Sequence, residues 1–261
     1  MTKMSRKAQK QYSFRSIKGG KQARDGGRDG GYGAGAADAD WDPMAETIDR
    51  NRDQSYVKSV KPRTEGQKEL MDSILEHAMT LAIGPAGTGK TYLAISAAVE
   101  ALEAERIDRI ILSRPAMEAG ESIGFLPGDM HEKMAPYLRP LYDALGDRLG
   151  GKRVRQYMDD GTIEIAPIGF MRGRTLNNAF IVVDEAQNCT FQQLKMLLSR
   201  LGWNSTMVIT GDPEQSDLLP GLSGLSQVSD KLARCSNVGI VKLQACDIVR
   251  HPLVAEMLAV L

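Results

Sequence analysis

A glycine-rich loop between an apolar run and a helical pattern constrains the fold of this chain more than any other segment. The run at residues 78–83 predicts a buried strand, and the segment 92–104, rich in Ala, Leu and Glu, has the apolar spacing of a helix. Strand, loop and helix in this order predict a phosphate-binding loop. The loop consists of Gly84, Pro85, Ala86, Gly87, Thr88, Gly89, Lys90 and Thr91.

The residue types of this loop suit a nucleoside triphosphate. The glycines let consecutive backbone N–H groups face the α- and β-phosphates, and Lys90 can reach the β- and γ-phosphates. The Thr91 hydroxyl is a ligand for Mg²⁺, and the N-terminal end of the following helix attracts anions. A glycine-rich turn that fits the pattern by chance is the alternative, which the flanking strand and helix disfavour.

Charge is distributed unevenly along the chain, although its 33 basic and 33 acidic residues cancel. Residues 1–24 contain eight basic residues and no acid, whereas residues 38–49 contain five acids and no base. Glycine and charged residues dominate the start of the chain. We therefore expect residues 1–60 to be a disordered tail and residues 61–261 to be one domain. The basic, aromatic part of the tail is compatible with binding to a single strand of nucleic acid and equally with a solubilising role.

The remaining composition predicts a cytoplasmic protein that does not interact with membranes. The three cysteines show no paired metal spacing, so we expect reduced thiols. No apolar stretch is long enough to span a membrane, and the basic N-terminus lacks the apolar region of a secretion signal.

Short apolar runs alternate with helical patterns after the tail, which predicts an α/β fold with a parallel sheet sandwiched by helices. Ligands bind outside the carboxyl ends of the strands in such sheets, so the site should be built from the segments that follow the runs. Besides 78–83, the predicted strands are 109–113, 162–166, 180–183, 206–211 and 238–243.

An acidic pair, Asp184 and Glu185, follows the apolar run at 180–183. Asp184 would hold Mg²⁺, and Glu185 is placed to orient and deprotonate the water that attacks the γ-phosphate. An ordinary helix N-cap is the alternative for Asp184 taken alone. Together with the upstream phosphate-binding loop, the pair favours nucleotide hydrolysis.

Two glutamines are candidates for contacts with the nucleotide. Gln215 follows the run at 206–211, where its amide could bridge the γ-phosphate and the attacking water; the alternative is a solvated glutamine in an ordinary turn. Gln67 opens a helix ahead of the loop, where its amide could read the adenine edge. An exposed helical glutamine is equally compatible with the sequence.

These segments together resemble the PhoH family of P-loop ATPases, whose core is similar to the first RecA-like domain of superfamily-one helicases. The resemblance implies a RecA-like P-loop fold, ATP binding and hydrolysis with Mg²⁺, and a homo-oligomeric ring of six subunits. It also implies a role in RNA or DNA metabolism during phosphate limitation or phage infection. It covers about residues 60–261 and rests on 84–91, 111–115, 120–128, 136–142, 171–176, 184–188, 211–212 and 247–252.

Four arginines are candidates for contacts with phosphate groups. An inserted arginine can stabilise the charge that develops on the γ-phosphate. We predict this role for Arg250, after the last strand, either within one subunit or across a subunit interface. Arg114, after the run at 109–113, could also reach the γ-phosphate, but it is a better candidate for nucleic-acid binding, with a well-packed connector as the alternative. Arg172 and Arg174, which we expect near the opposite rim of the sheet, are further candidates for nucleic-acid binding.

The leading functional hypothesis is an ATPase motor or remodeller that acts on single-stranded RNA or DNA. The alternative is an ATP-dependent switch or scaffold that controls protein assembly without unwinding nucleic acid. A small-molecule kinase is disfavoured because the acidic pair supplies a water activator and no acceptor-binding signature accompanies it.

Overall fold

The computed structural model describes residues 60–115 and 130–249. The predicted tail up to residue 59, the segment 116–129 and Arg250 lie outside the described residues, so the predictions made for them stay predictions.

Six parallel strands form one sheet in the order β3-β2-β4-β5-β1-β6. Every strand predicted from the sequence is confirmed, with ends that differ by at most one residue. The strands are β1 (Met79–Ile83), β2 (Arg109–Ser113), β3 (Ile163–Ile165), β4 (Ala179–Val183), β5 (Thr206–Gly211) and β6 (Val238–Lys242).

Helices cover both faces of this sheet. They are α1 (Glu65–Glu76), α2 (Lys90–Glu103), α3 (Met130–Leu149), α4 (Gly151–Asp159), α5 (Phe191–Leu198) and α6 (Leu225–Leu232). Within the described residues, three short 3₁₀ turns lie at Ile168–Met171, Ala186–Asn188 and Ala245–Asp247. In the part of the chain that the structure describes, no helix is long and apolar enough to cross a membrane.

The strands bury alternate side chains in two separate cores, because successive residues of a strand point to opposite faces. Ile110 and Leu112 of β2 pack with helices α1 to α4 on one face, whereas Ile111 packs with α5 and α6 on the other. Full burial of each such side chain stabilises the fold by about 1.5–3 kcal/mol. The prediction of a parallel sheet sandwiched by helices is confirmed.

The strand order brings three strand ends together. Strand β5 lies between β1 and β4, with Ile83 opposite Gly211 and Val183 opposite Ile209. Because all strands are parallel, the residues that follow β1, β4 and β5 lie at the same edge of the sheet.

The start of α1 is fastened to the 3₁₀ turn after β6. Asp247 Oδ1 accepts a 3.2 Å hydrogen bond from the Gly66 backbone N–H, and Oδ2 accepts one of 2.9 Å from the Gln244 N–H. These bonds, with one from Thr64, lower the pKa of the Asp247 carboxyl. A Cβ atom on Gly66 would meet the Asp247 carboxylate, so a larger residue here would displace that carboxylate from its bonds.

Candidate active site

The phosphate-binding loop joins β1 to α2 and depends on glycines for its path. Gly87 and Gly89 have φ values of 85° and 83°, in the left-handed region that favours glycine. The Gly84 backbone N–H donates a 3.1 Å hydrogen bond to Gly211 O, which fixes the loop against the end of β5. Helix α2 begins at Lys90, so its positive N-terminal end lies at the loop.

The Lys90 side chain lies within the loop itself. Its Nζ donates to Gly84 O at 2.6 Å and to Pro85 O at 2.8 Å, and only 8% of the residue is exposed. Burial lowers the pKa of the ammonium group, and the negative charges of Asp212, Glu185 and Asp184 oppose this shift. The buried Lys90 ammonium group therefore interacts electrostatically with three carboxylates.

Thr91 and Asp184, the two predicted Mg²⁺ ligands, are in direct contact. Thr91 Oγ1 donates a 2.6 Å hydrogen bond to Asp184 Oδ1, which also accepts one of 2.7 Å from Thr210 Oγ1. Mg²⁺ favours such hard oxygen donors and is usually held by one or two carboxylates together with phosphates and water. Among the described residues no group of three or more His, Cys, Asp or Glu side chains could hold a metal alone. The donor set therefore fits Mg²⁺ bound together with a nucleotide.

Glu185 has different neighbours from Asp184. Its backbone adopts a left-handed conformation with φ 52° and ψ 42°, which is uncommon outside glycine and is often found at functional sites. Arg114 NH2 lies 3.3 Å from Glu185 Oε1, while Gln187 Nε2 donates to Glu185 Oε2. The same guanidinium lies 3.6 Å from Asp184 Oδ2. Both carboxylate oxygens of Glu185 are thus engaged.

A loop after β5 lies beside the phosphate-binding loop and the acidic pair and forms the third side of the site. The Asp212 N–H donates to Gln187 Oε1 at 3.0 Å, and the Gln215 N–H donates to Asp212 O at 3.0 Å. The Gln215 residue is exposed at the rim. The three sides surround a cavity of about 270 Å³. It is lined by Ala86, Gly87, Gly89, Lys90, Thr91, Tyr92, Asp184, Glu185, Gly211, Asp212 and Gln215.

Gln67 is buried against the phosphate-binding loop, so the alternative of an exposed helical glutamine is wrong. Its Nε2 donates to Thr88 O at 3.0 Å, and its Oε1 accepts from the Arg63 N–H at 2.8 Å. The Thr64 cap of α1 places it there by accepting a bond from the Gln67 backbone N–H. The amide keeps one further N–H and one further lone pair, so contact with adenine stays a prediction.

The arginine candidates occupy different places. Arg114 lies in the site against the acidic pair rather than on an open surface. Arg174 forms a two-pronged ion pair with Glu164, and this hydrogen bonding lowers the pKa of the Glu164 carboxyl. Arg172 is exposed. A contact of any of the three with nucleic acid stays a prediction.

Sequence reasoning missed three side chains that build the site, namely Gln187, Thr210 and Asp212. All three lie at or just after the carboxyl end of a predicted strand, and this position could have identified them as candidate site residues. Their contacts depend on the register between β4 and β5, which the sequence does not specify. A larger cavity of about 520 Å³ contains none of the predicted site residues and borders the start of β5.

Because β5 separates the strand of the phosphate-binding loop from the strand of the acidic pair, the chain has the RecA-like form of the P-loop fold. It belongs to the PhoH family: the family described as PhoH-like protein matches residues 59–261.

Curated relatives support this membership. A PhoH-like protein of Bacillus subtilis is 52% identical over 202 residues, which cover 77% of this chain and 63% of the relative. Protein PhoH of Escherichia coli K12 is 43% identical over 211 residues, covering 80% of this chain and 60% of that protein. The chain therefore spans about 60% of the length of these relatives.

Solved structures give weaker matches. A large terminase from a thermophilic bacteriophage superposes with a TM-score of 0.48 at 13% identity, covering 76% of this chain and 50% of the terminase. A Pif1 helicase from Candida albicans gives a TM-score of 0.33 at 12% identity over 71% of this chain and 41% of the helicase. At these values the similarity says nothing about the function of this chain.

Proposed function

We propose that this chain is a Mg²⁺-dependent ATPase that acts on single-stranded RNA or DNA as a homo-oligomer in the cytoplasm. The observation that carries the hydrolytic part is the division of labour between two adjacent carboxylates. Asp184 is held by Thr91 and Thr210, whereas Glu185 borders the cavity with 37% of its side chain exposed. This difference supports our assignment of Asp184 to the metal and of Glu185 to the attacking water.

Nucleotide binding would begin at the loop and the start of α2. Lys90 would exchange its bonds to Gly84 O and Pro85 O for the β- and γ-phosphates, since its ammonium group already lies in the loop. Thr91 and Asp184 would hold Mg²⁺, which neutralises charge on the phosphate oxygens when bound.

Glu185 would accept the proton of the attacking water. A general base must lie beside the reacting atom and accept a hydrogen bond from it, and Glu185 lines the same cavity as the loop. Gln215 at the rim can donate and accept at once, which suits contact with both the γ-phosphate and the water. Arg114 holds one Glu185 oxygen, Oε1, and would have to release it if that oxygen is the one that takes the proton.

The nucleic-acid part of the proposal depends on charge. The basic segment 1–24 and the exposed Arg172 would bind phosphates of a single strand, and such binding weakens as salt is added. The homo-oligomeric ring is proposed from the resemblance to the PhoH family.

Phosphate release, measured with and without single-stranded RNA and DNA oligomers at low and moderate salt, tests the proposal. We expect ATP-dependent release that requires Mg²⁺ and rises with one of the two nucleic acids. Lys90→Ala should abolish tight nucleotide binding, and the exposed Lys68→Ala is a matched control. If no phosphate is released, the proposed ATPase activity is contradicted. If phosphate is released but RNA and DNA neither bind the protein nor stimulate it, only the proposed nucleic-acid substrate is contradicted.

One observation favours the switch or scaffold as a second candidate. Both oxygens of the Glu185 carboxylate are engaged, by Arg114 and Gln187, which would keep turnover slow until Arg114 moves. A switch predicts an oligomeric state that changes between ATP and ADP, measured by sedimentation. A single state with every nucleotide contradicts it.

A further inference from the structure

We infer that Gln187 is a positioning residue that holds the Glu185 carboxylate for water activation and links it to the loop after β5. The inference rests on the proposed hydrolysis and assigns a role to a side chain that sequence reasoning left without one.

The Gln187 amide connects three parts of the site. Its Nε2 donates to Glu185 Oε2 and, at 3.3 Å, to Gln215 O, while its Oε1 accepts the Asp212 N–H at 3.0 Å. The residue is only 1% exposed, and its bond with the Asp212 N–H is buried, so water competes little for that bond. One N–H of this amide serves the candidate general base itself, which a purely structural glutamine would not require.

Glu185 needs such support because of its backbone. A non-glycine residue in the left-handed region persists only where its surroundings hold it there. The 3₁₀ turn Ala186–Asn188 follows directly, so Gln187 reaches back to the carboxylate from within the same turn. Arg114 fixes one oxygen and Gln187 the other.

The close approach of Gln187 to the end of β5 depends on Gly211. A Cβ atom there would lie 2.9 Å from Gln187 Oε1 and 2.6 Å from Leu225 Cδ2. The amide therefore lies directly on the strand end, and its acceptor meets the next backbone N–H, that of Asp212.

A second set of bonds makes the turn and the loop one unit. Asn188 Nδ2 donates to Asp217 Oδ2 at 2.8 Å, and Asn188 Oδ1 accepts the Asp217 N–H at 2.9 Å. Ser216 Oγ donates to Gln187 O at 3.1 Å. Displacement of residues 212–217 would thus be transmitted to Glu185 through Gln187.

The test is steady-state and single-turnover hydrolysis by Gln187→Met, which keeps the side-chain volume and removes the amide. We expect kcat to fall at least about tenfold, because misplacement of a catalytic group by 1 Å costs about 100-fold, while KM and the affinity for an ATP analogue change less than about threefold. Gln193→Met is the matched control, since Gln193 caps α5 through Thr190 and lies outside the site. It should keep the wild-type kcat.

A double-mutant cycle separates positioning from general support of the fold. If Gln187 acts through Glu185, Gln187→Met should cause no further loss of the single-turnover rate in a Glu185→Gln background. Equal losses in both backgrounds, or an unchanged kcat in Gln187→Met, would overturn the inference. Gln187→Asn keeps an amide but shortens its reach to Glu185, and it supplies the same test if the methionine variant does not fold.

Failure of the proposed function gives a different result. Wild-type protein that releases no phosphate contradicts the ATPase. Active wild-type protein, inactive Glu185→Gln and fully active Gln187→Met contradict only the role of Gln187.

Discussion

The Thr91 hydroxyl donates a 2.6 Å hydrogen bond to Asp184 Oδ1, although the two residues are 93 positions apart in the sequence. This bond joins the start of α2 to the end of β4, and it places two hard oxygen ligands side by side. The phosphate-binding loop and the acidic pair are therefore one site.

Thr91→Ala should remove most of the Mg²⁺-dependent part of ATP affinity. A hydrogen bond to a charged group is worth about 1.5–3 kcal/mol. We therefore expect the gain in ATP affinity on adding Mg²⁺ to fall about 10- to 100-fold. Titration of a fluorescent ATP analogue with and without Mg²⁺ measures this gain. Thr91→Ser retains the hydroxyl and should behave like wild type, and an unchanged gain in Thr91→Ala would exclude the hydroxyl as a ligand.

Glu185→Gln should bind ATP normally and release phosphate at least about 100-fold more slowly, because an amide of the same shape does not accept the proton. The exposed Glu214→Gln in the neighbouring loop is the control and should keep the wild-type rate. Phosphate release and nucleotide affinity are measured on the same samples. If the Glu185→Gln variant turned over ATP at the normal rate, the general base would have to be another residue.

Gln67→Ala should reduce the preference for ATP over GTP if the amide reads adenine. The amide also supports the loop through Thr88 O, so some loss of affinity for both nucleotides is expected. The ratio of the two dissociation constants distinguishes the roles. Equal losses for ATP and GTP would leave Gln67 with the loop-supporting role alone.

Arg114→Ala and Arg172→Ala should separate site contacts from surface contacts. Arg114 pairs with both acids, so its removal should change the rate of phosphate release without nucleic acid by about tenfold or more. Arg172 is exposed, and its removal should leave that rate unchanged while weakening RNA or DNA binding. The slope of the logarithm of the binding constant against the logarithm of the salt concentration should become shallower by about 1. Identical effects of the two substitutions would contradict this separation.

Cys189 should resist thiol reagents in the folded protein. Burial raises the pKa of its thiol from 9.0 to about 12, so the reactive thiolate is about 1000-fold less abundant than in the unfolded chain. Cys235 and Cys246 are exposed and should react first. Mass spectrometry after alkylation at pH 8 should find two rapidly modified cysteines, and a third upon denaturation. Rapid labelling of Cys189 in native protein would show that this core opens readily.

The strands were predictable because buried parallel strands are continuous apolar runs, as at Ile181 and Val182. The acids and the loop were predictable because each motif combines local sequence with a strand end. The contacts of Gln187 and Thr210 were not, since they form across β4 and β5. Arg114 shows the same limit: its place after β2 was predicted, but its pairing with the acids depends on the order of the strands.

The two carbonyl bonds of Lys90 have a consequence for ligand choice. A ligand with a β-phosphate offers the ammonium group a new partner, whereas a nucleoside monophosphate would leave it bound to Gly84 O and Pro85 O. We therefore expect the loop to distinguish ligands by the length of their phosphate chain, independently of base or sugar. The ratio of the dissociation constants of AMP and ADP should accordingly exceed the ratio of those of ADP and ATP.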